Sequence, residues 1–251
     1  MLLLKKGGKR MENSIVTNIE KNNNENKKYN LDDKKKENKF LIILFIIFTI
    51  LGIFSFLLYF LFSPPVAAAK PIIYIYPEQK LELNVNLAYP EKVSCSYPNY
   101  NATTGWNVIA YPDGTLTEIN TNKKLYSLYW EGKNYNQTVQ NEGFIVKGED
   151  SIEFLEEKLA LLGLNYREAE EFIIYWLPKL QENKYNYIRF ATMEEINEYM
   201  PLEFSTQPDS LIRVFMEFKG LNHFIDISEQ KLETPKREGF VIVEWGGSEI
   251  K

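Results

Sequence analysis

Two short strings place a carboxylate beside an indole, a combination that suits chemistry on sugars. They are Trp130-Glu131-Gly132 and Glu244-Trp245-Gly246. Glycosidases use a pair of carboxylates, and the flat face of an indole suits a sugar ring. If both strings opened on one cleft, Glu131 and Glu244 would serve as the acid and the base of a hydrolase.

The same two strings have two other interpretations. A Trp at a strand end closes a hydrophobic core in many proteins, and a following Gly turns the chain. Alternatively, Trp130 and Trp245 form an exposed aromatic surface that binds a ligand without chemistry. The residues alone leave all three interpretations open.

Arg213 is the third candidate for ligand binding. In the strand predicted over 211–218, Ile212, Val214, Met216 and Phe218 share one face, and Arg213 lies on the other with Leu211, Phe215 and Glu217. An arginine there could hold a ligand carboxylate with its two-pronged guanidinium group. The alternative that we favour from the sequence is a cross-strand ion pair on a solvated face.

Nucleophilic catalysis has little support. The chain has one cysteine, Cys95, and one histidine, His223. Cys95 shares a strand face with Val93 and Tyr97, which predicts a buried structural thiol.

A metal site of His and Cys is close to excluded, because the chain has one residue of each type. Asp113-Gly114 lacks the repeated oxygen ligands of a calcium loop. We therefore predict no metal and no cofactor, and a single cysteine excludes an intrachain disulfide.

Residue alternation and turn signals predict that the domain begins with mostly antiparallel sheet. Leu81, Leu83, Val85 and Leu87 alternate with polar residues, as in a half-buried strand. Tyr111-Pro112-Asp113-Gly114 predicts a tight turn, because Pro presets φ and Gly accepts positive φ. The predicted strands are 72–76, 81–87, 93–97, 106–110, 115–119, 125–130, 143–146, 186–191, 211–218 and 240–245.

Helical periodicity appears in the middle of this series. Asp150-Ser151-Ile152-Glu153 has the form of a capping box, and the helix that it opens is predicted to stop at Gly163. Asn165 and Glu168 repeat the device before a second helix, predicted to end near Pro178. The two helices form a hairpin on one sheet face, with a possible short helix over 193–200. The predicted fold class is α+β, mainly antiparallel and sandwich-like.

Residues 40–62 form an uncharged apolar run of 23 residues, which as a helix spans about 34 Å, enough for a hydrocarbon core. Six lysines lie in the fifteen residues before the run, and only Lys70 lies in the fifteen after it. Because Lys and Arg stay cytoplasmic, the amino terminus is predicted to face the cytoplasm.

The predicted organisation is a disordered cytoplasmic tail over 1–39, a transmembrane helix over 40–62, a short spacer over 63–69 and an extracytoplasmic α+β domain over 70–251. A cleaved signal peptide, cut after Ala68 or Ala69, is the alternative to a retained anchor. Met11 is a plausible alternative start of the chain.

The charge is distributed unevenly along the chain. The chain has 29 Lys and Arg and 34 Asp and Glu. The first 39 residues contain eleven of the basic residues and six of the acidic ones. The remainder therefore has 18 basic and 28 acidic residues, and its net charge is near −10. An acidic domain of this kind lacks the basic footprint of a nucleic-acid-binding protein. We predict no nucleic-acid partner.

From Lys70 onward the chain resembles a family of uncharacterised bacterial proteins that are membrane-anchored or secreted. The resemblance rests on the strings KPIIYIYP (70–77), YPDG (111–114), WEG (130–132), GFIVKG (143–148), YWLP (175–178), RVFM (213–216) and VEWGG (243–247). It implies an extracytoplasmic domain behind an anchor, and it implies no catalytic or binding residues.

The sequence therefore favours a single-pass membrane protein that presents a binding or structural module of the envelope. The alternative is an envelope hydrolase that acts on glycan or peptide. The expected partners are the lipid bilayer and either an envelope glycan or another membrane protein. An enzyme needs titratable groups that converge in a cleft, whereas a binding module needs only an exposed surface.

Overall fold

The computed structural model describes residue 36 and residues 38–58, 69–133, 135 and 141–250. The chain divides into two compact units, Met1–Pro64 and Pro65–Lys251. Most of the predicted tail, most of the predicted spacer and residues 59–62 of the apolar run lie outside the described residues. Asn38 and Lys39, which were predicted to belong to the tail, are the first residues of the membrane-length helix.

In the first unit, the described residues include helix α1 (Asn38–Leu58), which is long and apolar enough to cross a membrane. Its most apolar 18-residue window has a mean hydropathy of 3.1, and none of that window is buried in protein. The Thr49 hydroxyl donates to the Phe45 carbonyl oxygen at 2.7 Å, so this polar group is satisfied within the helix. A helix that is apolar on every side suits a lipid environment.

The second unit is an α+β fold, which confirms the predicted fold class. Its helices are α2 (Ser151–Leu161), α3 (Tyr166–Gln181) and α4 (Met193–Tyr199). Its strands are β1 (Ala69–Tyr76), β2 (Leu81–Leu87), β3 (Val93–Tyr97), β4 (Trp106–Ala110), β5 (Leu116–Glu118), β6 (Lys124–Leu125), β7 (Leu128–Gly132), β8 (Glu142–Lys147), β9 (Tyr185–Phe190), β10 (Leu202–Phe204), β11 (Ser210–Leu221), β12 (Ser228–Glu229) and β13 (Val241–Glu249).

The strands form two sheets. The large sheet has the order β12-β8-β9-β11-β13-β1-β7-β3, and the small sheet has the order β10-β2-β4-β5-β6. The β11/β13 and β12/β8 pairs are parallel, and the other recorded pairs are antiparallel. The mainly antiparallel character that alternation predicts is therefore present, with a parallel pair at the centre of the large sheet.

The central strands of the large sheet are buried on both faces. Ile73 and Ile75 of β1 face the small sheet and belong to the inter-sheet core with Trp130 and Val85. Ile72 and Tyr74, which alternate with them, belong to a second core beneath α2 and α3. The unit thus has three layers, and the predicted helical hairpin covers one face of the sheet.

Helix α2 does not begin with the predicted capping box. Asp150 has φ −90° and ψ 0°, and its side chain makes no cap hydrogen bond. A 3-10 turn over Gly148–Asp150 runs directly into the helix, so Asp150 lacks the extended backbone that would aim its carboxylate at the first turn. In α3 the predicted box is present, since Glu168 N donates to Asn165 Oδ1 at 3.0 Å and Asn165 N donates to Glu168 Oε2 at 2.8 Å.

Helix α3 continues through Pro178 to Gln181, so its predicted end was wrong. Pro178 deprives the Ile174 carbonyl of its helical donor, and the Ile174 side chain is 67% exposed. This face of the helix is in contact with water, which can satisfy the carbonyl. Trp176 and Leu180 on the opposite face are fully buried and hold the last turn in place.

The strand predicted over 125–130 is two strands. Leu125 pairs with Leu116 in the small sheet, whereas β7 starts at Leu128 in the large sheet. The YPDG turn forms as predicted: Gly114 N donates to the Tyr111 carbonyl at 2.9 Å, and Gly114 has φ +82°.

Candidate functional site

Three of the five candidate residues meet between the two sheets. Glu244 accepts a hydrogen bond from Trp130 Nε1 at 2.9 Å through Oε1 and from Arg213 Nε at 2.7 Å through Oε2. Arg213 Nη2 also lies 2.6 Å from Oε2. Both oxygens of this carboxylate are therefore engaged by protein.

Strand register explains the meeting. Arg213 on β11 is directly opposite Glu244 on β13. Ile73 on β1 is opposite both Glu244 on β13 and Leu128 on β7. Trp130 follows Leu128 on the same face, so its indole reaches across β1 to the carboxylate.

The Arg213–Glu244 pair is buried, with side-chain exposures of 1% and 5%. The predicted cross-strand ion pair is present, but the prediction of a solvated face was wrong. Arg213 Nη1 donates to Asn197 Oδ1 of α4 at 2.7 Å and to the Met200 carbonyl at 3.0 Å. Helix α4 and the small sheet cover this face of β11.

A second buried ion pair lies on the same face of the sheet. Arg189 of β9 donates through Nη1 to Glu217 Oε2 at 2.9 Å, and through Nη2 to Glu195 at 2.6 Å and 2.8 Å. The Tyr135 hydroxyl donates to Glu217 Oε1 at 2.8 Å, and its ring packs on Phe215 at 4.6 Å. We call the whole set the ion network; its members are Trp130, Tyr135, Arg189, Glu195, Arg213, Glu217 and Glu244.

The environment of the ion network shifts several pKa values. Burial raises the pKa of Tyr135 well above 10.0, and the nearby Glu217 carboxylate adds to the rise. Burial acts to lower the pKa of Arg189, but hydrogen bonds and charge from Glu195 and Glu217 outweigh it and raise the pKa. For Glu195, burial acts to raise the pKa, and the Thr192 backbone N–H and Arg189 lower it overall. The Glu195 carboxylate is thus held as an ion-pair partner of Arg189.

This second ion pair was not predicted from the sequence. The sequence signal that could have indicated it is Glu217, a second charged residue on the same β11 face as Arg213, four residues further along the strand. Arg189 lies opposite Glu217 in the β9/β11 register, which only the strand order reveals.

Glu131 lies on the other face of the large sheet. Trp130 is in the inter-sheet core, so its half-buried neighbour Glu131 points to the opposite side of β7. On that side, burial first and then the nearby Glu131 carboxylate raise the pKa of Tyr129. Glu131 and Glu244 therefore do not share the cleft that a pair of catalytic carboxylates requires.

Trp245 is fully buried in the helix-side core, where its ring contacts Phe172 edge-on at 5.3 Å. Trp130 is buried in the inter-sheet core. Both indoles close cores, on opposite faces of one sheet, and neither offers an exposed ring to a ligand.

Cys95 is exposed on the edge strand β3, so the prediction of a buried thiol was wrong. Alternation placed it correctly in a strand, but β3 has a neighbour on only one side and its outer surface is uncovered. His223 lies in the segment that leads to β12, at the opposite edge of the large sheet. The structure does not bring Cys95 and His223 together.

Within the described residues, no group of three His, Cys, Asp or Glu side chains is arranged to hold a metal ion.

Several of the strings that carry the family resemblance contact one another. A Cβ on Gly247 would lie 2.7 Å from Trp176 Cζ2, one on Gly246 would lie 3.1 Å from Pro71 Cα, and one on Gly114 would lie 2.7 Å from the Tyr76 ring. These contacts are packing contacts, so the strings describe how the layers fit together.

The part of the chain that the structure describes includes one helix able to span a membrane and a three-layer α+β unit that contains a buried ion network. A 65-residue segment is 40% identical to a protein of Butyrivibrio fibrisolvens described as an uncharacterised protein in the bglA 3′ region. The segment makes up 25% of this chain and 65% of that protein. No family model matches the chain. No solved structure gives a significant match.

Proposed function

We propose that the chain is a single-pass membrane protein with a cytoplasmic amino terminus and that residues 70–251 form an extracytoplasmic binding or structural module. The observation that carries the proposal is helix α1, which is apolar on every side and unburied over its most apolar window. Exposed to water, such a helix would leave a large apolar surface uncovered; in a bilayer the same surface is stabilised.

The orientation in this proposal follows from lysine asymmetry. Lys27, Lys28, Lys34, Lys35, Lys36 and Lys39 precede the apolar run, and Lys70 alone lies within the same distance after it. Lysines that flank a membrane span stay on the cytoplasmic side, so the second unit belongs outside. The family resemblance, which implies an anchored domain, agrees with this orientation.

The ion network supports binding or scaffolding over hydrolysis. A catalytic acid or base must reach the substrate proton within hydrogen-bond distance. Both Glu244 oxygens are already bound by Trp130 and Arg213, and Glu131 lies on the other side of the sheet. The module that we propose therefore acts through its surface, on an envelope glycan, a peptide or another membrane protein.

The location of the domain can be tested with its natural cysteine. Cys95 is the one cysteine of the chain and is exposed, so a membrane-impermeant maleimide reports where the second unit lies. In intact protoplasts, we expect Cys95 to be labelled without permeabilisation. A matched control carries Cys95→Ser with Asn23→Cys in the tail, and we expect it to be labelled only after permeabilisation.

The reverse pattern of labelling would overturn the proposed orientation. Recovery of full-length labelled protein in the soluble fraction, with nothing in the membrane fraction, would overturn the anchor. Both outcomes are read from the same gel, with total protein detected through a carboxy-terminal tag.

A further inference from the structure

An open cavity of about 350 Å³ lies between β8, the first turns of α2 and the segment that leads to β12. Three phenyl rings line it, those of Phe144, Phe154 and Phe224. Three carboxylates line it as well, those of Glu157, Asp226 and Glu229. We call this feature the edge cavity. It is separate from the ion network, and residues 143–146 of its wall were predicted from the sequence only as a strand.

The protein already places one ammonium group in the edge cavity. Lys158 Nζ lies 5.1 Å from the Phe144 ring centre and 5.9 Å from that of Phe154. It is 2.9 Å from Glu157 Oε1 and 4.0 Å from Glu229 Oε1, and the Lys158 side chain is only 14% exposed. The aromatic faces and the acidic rim therefore suit an alkyl ammonium. An aromatic ring attracts a cation through its quadrupole, and a carboxylate attracts a cation through its negative charge.

The lysine does not balance the charge of the edge cavity. Three carboxylates face one ammonium among the lining residues, so the rim remains negative. The volume of about 350 Å³ is open with Lys158 in place. Charge complementarity therefore favours a second cation.

Phe224 provides a further contact surface at the rim. Its side chain is 59% exposed, and it meets Tyr185 edge-on with 6.2 Å between ring centres. An exposed phenyl beside Asp226, in a segment that joins β11 to β12, offers a free ring face to a ligand.

We infer that the edge cavity binds a primary ammonium on an alkyl chain, as in the side chain of a lysine or another diamino acid within a peptide. The bound ammonium lies against Phe224 and Asp226, and its alkyl chain lies along the apolar wall. This inference deepens the proposed binding function by naming the ligand chemistry, and it rests on that proposal. The Cys95 labelling tests location alone, so the two proposals can fail independently.

The test uses the full-length protein in non-ionic detergent and calorimetric titration with Nα-acetyl-lysine N-methylamide. We expect saturable binding that weakens as salt rises, and no binding of the Nε-acetylated probe, which has the same chain without the charge. Phe224→Ala removes one cation–ring contact and should weaken binding about two- to fivefold. Asp226→Asn should weaken it by about the same factor, since one exposed charge contact is lost.

Tyr97→Ala is the matched control, because Tyr97 is 55% exposed but lies on β3 at the other edge of the large sheet. It should leave the affinity unchanged. Equal binding of the charged and acetylated probes, or unchanged affinity in both cavity variants, would overturn the inference.

A second titration separates the two sources of the ammonium group, a lysine side chain and another diamino acid. It compares a glycyl-lysyl-glycine peptide with a soluble cell-wall peptide that carries a free side-chain amine. Tighter binding of either peptide supports the inference and identifies the preferred source.

Discussion

Glu244 shows how one residue can suggest catalysis in the sequence and perform a structural role in the fold. Its carboxylate accepts from Trp130 and Arg213 in a buried layer between two sheets. A buried ion pair contributes little net stability compared with an apolar pair, but loss of one partner leaves an uncompensated charge. Substitutions at this site therefore test its role directly.

We predict that Glu244→Gln destabilises the second unit by about 3 kcal/mol or more, because Arg213 keeps its charge without a buried anion. Adding Arg213→Met should cost less than the sum of the two single changes, since the stranded charge is removed. Thermal unfolding of the detergent-solubilised chain, followed by Trp fluorescence, measures this; all four Trp lie buried in the second unit.

Arg167→Met is the control for this prediction. Arg167 pairs with Glu171 at 3.4 Å, but its side chain is 52% exposed, so we expect a loss of about 0.5 kcal/mol or less. An intact fold in Glu244→Gln with loss of a hydrolytic activity on envelope material would instead assign Glu244 to catalysis.

At the scale of elements, the starts of α2 and α3 differ although their sequences resemble each other. Glu168 in α3 accepts from the Asn165 backbone and also binds Arg237 through both oxygens, at 2.8 Å and 2.9 Å. The start of α2 is a continuation of a 3-10 turn and uses no side-chain cap. The cap of α3 is thus part of a larger set of contacts, whereas the Asp150 carboxylate makes no cap bond.

We predict that Asn165→Ala lowers the free energy of unfolding by about 1 kcal/mol, because the Glu168 backbone N–H loses its acceptor. Asp150→Ala, the matched change at α2, should alter the stability by no more than a few tenths of a kcal/mol. Chemical denaturation of both variants measures the difference. Equal losses at the two helices would show that the Asp150 side chain does cap α2 in solution.

At the scale of the whole molecule, tyrosines stabilise the three layers as neutral groups. The following tyrosines have a pKa raised above 10.0, in each case chiefly by burial: Tyr74, Tyr76, Tyr100, Tyr129, Tyr135, Tyr187 and Tyr199. Burial raises the pKa of Tyr199 to about 12. Each phenol therefore binds its proton more tightly in the folded state than in the unfolded chain.

The sign of the pH dependence follows from that difference. Below pH 10 both states hold the phenol protons, and the contribution to stability is complete. As the pH rises above 10, the unfolded chain releases protons that the folded unit keeps, and stability falls. We predict a melting temperature that is nearly constant from pH 8 to about pH 10 and declines steeply above it.

Tyr135→Phe should reduce the steepness of this alkaline decline, since one buried phenol is removed. Tyr166→Phe alters a highly exposed tyrosine and should leave the decline unchanged. A melting temperature that is maintained to pH 11 would contradict the prediction. Melting curves at intervals of half a pH unit are sufficient to distinguish the outcomes.

The sequence by itself determined several local features of this protein. Period-two alternation marked β2 and β4, the Asn165 and Glu168 spacing marked the start of α3, and the Pro-Asp-Gly turn marked the β4/β5 connection. The uncharged run marked α1. These features depend on residues within a few positions of one another, so local pattern is enough to find them.

Only the tertiary structure decided which faces are buried and which side chains meet. Alternation assigned Arg213 and Glu217 to one face of β11 but could not show that α4 and the small sheet cover it. It also could not show that Trp130 reaches Glu244 across β1 while Glu131 lies on the opposite face of the sheet. Strand order and layer packing are set by contacts between residues far apart in the chain, and no short window of sequence contains both partners.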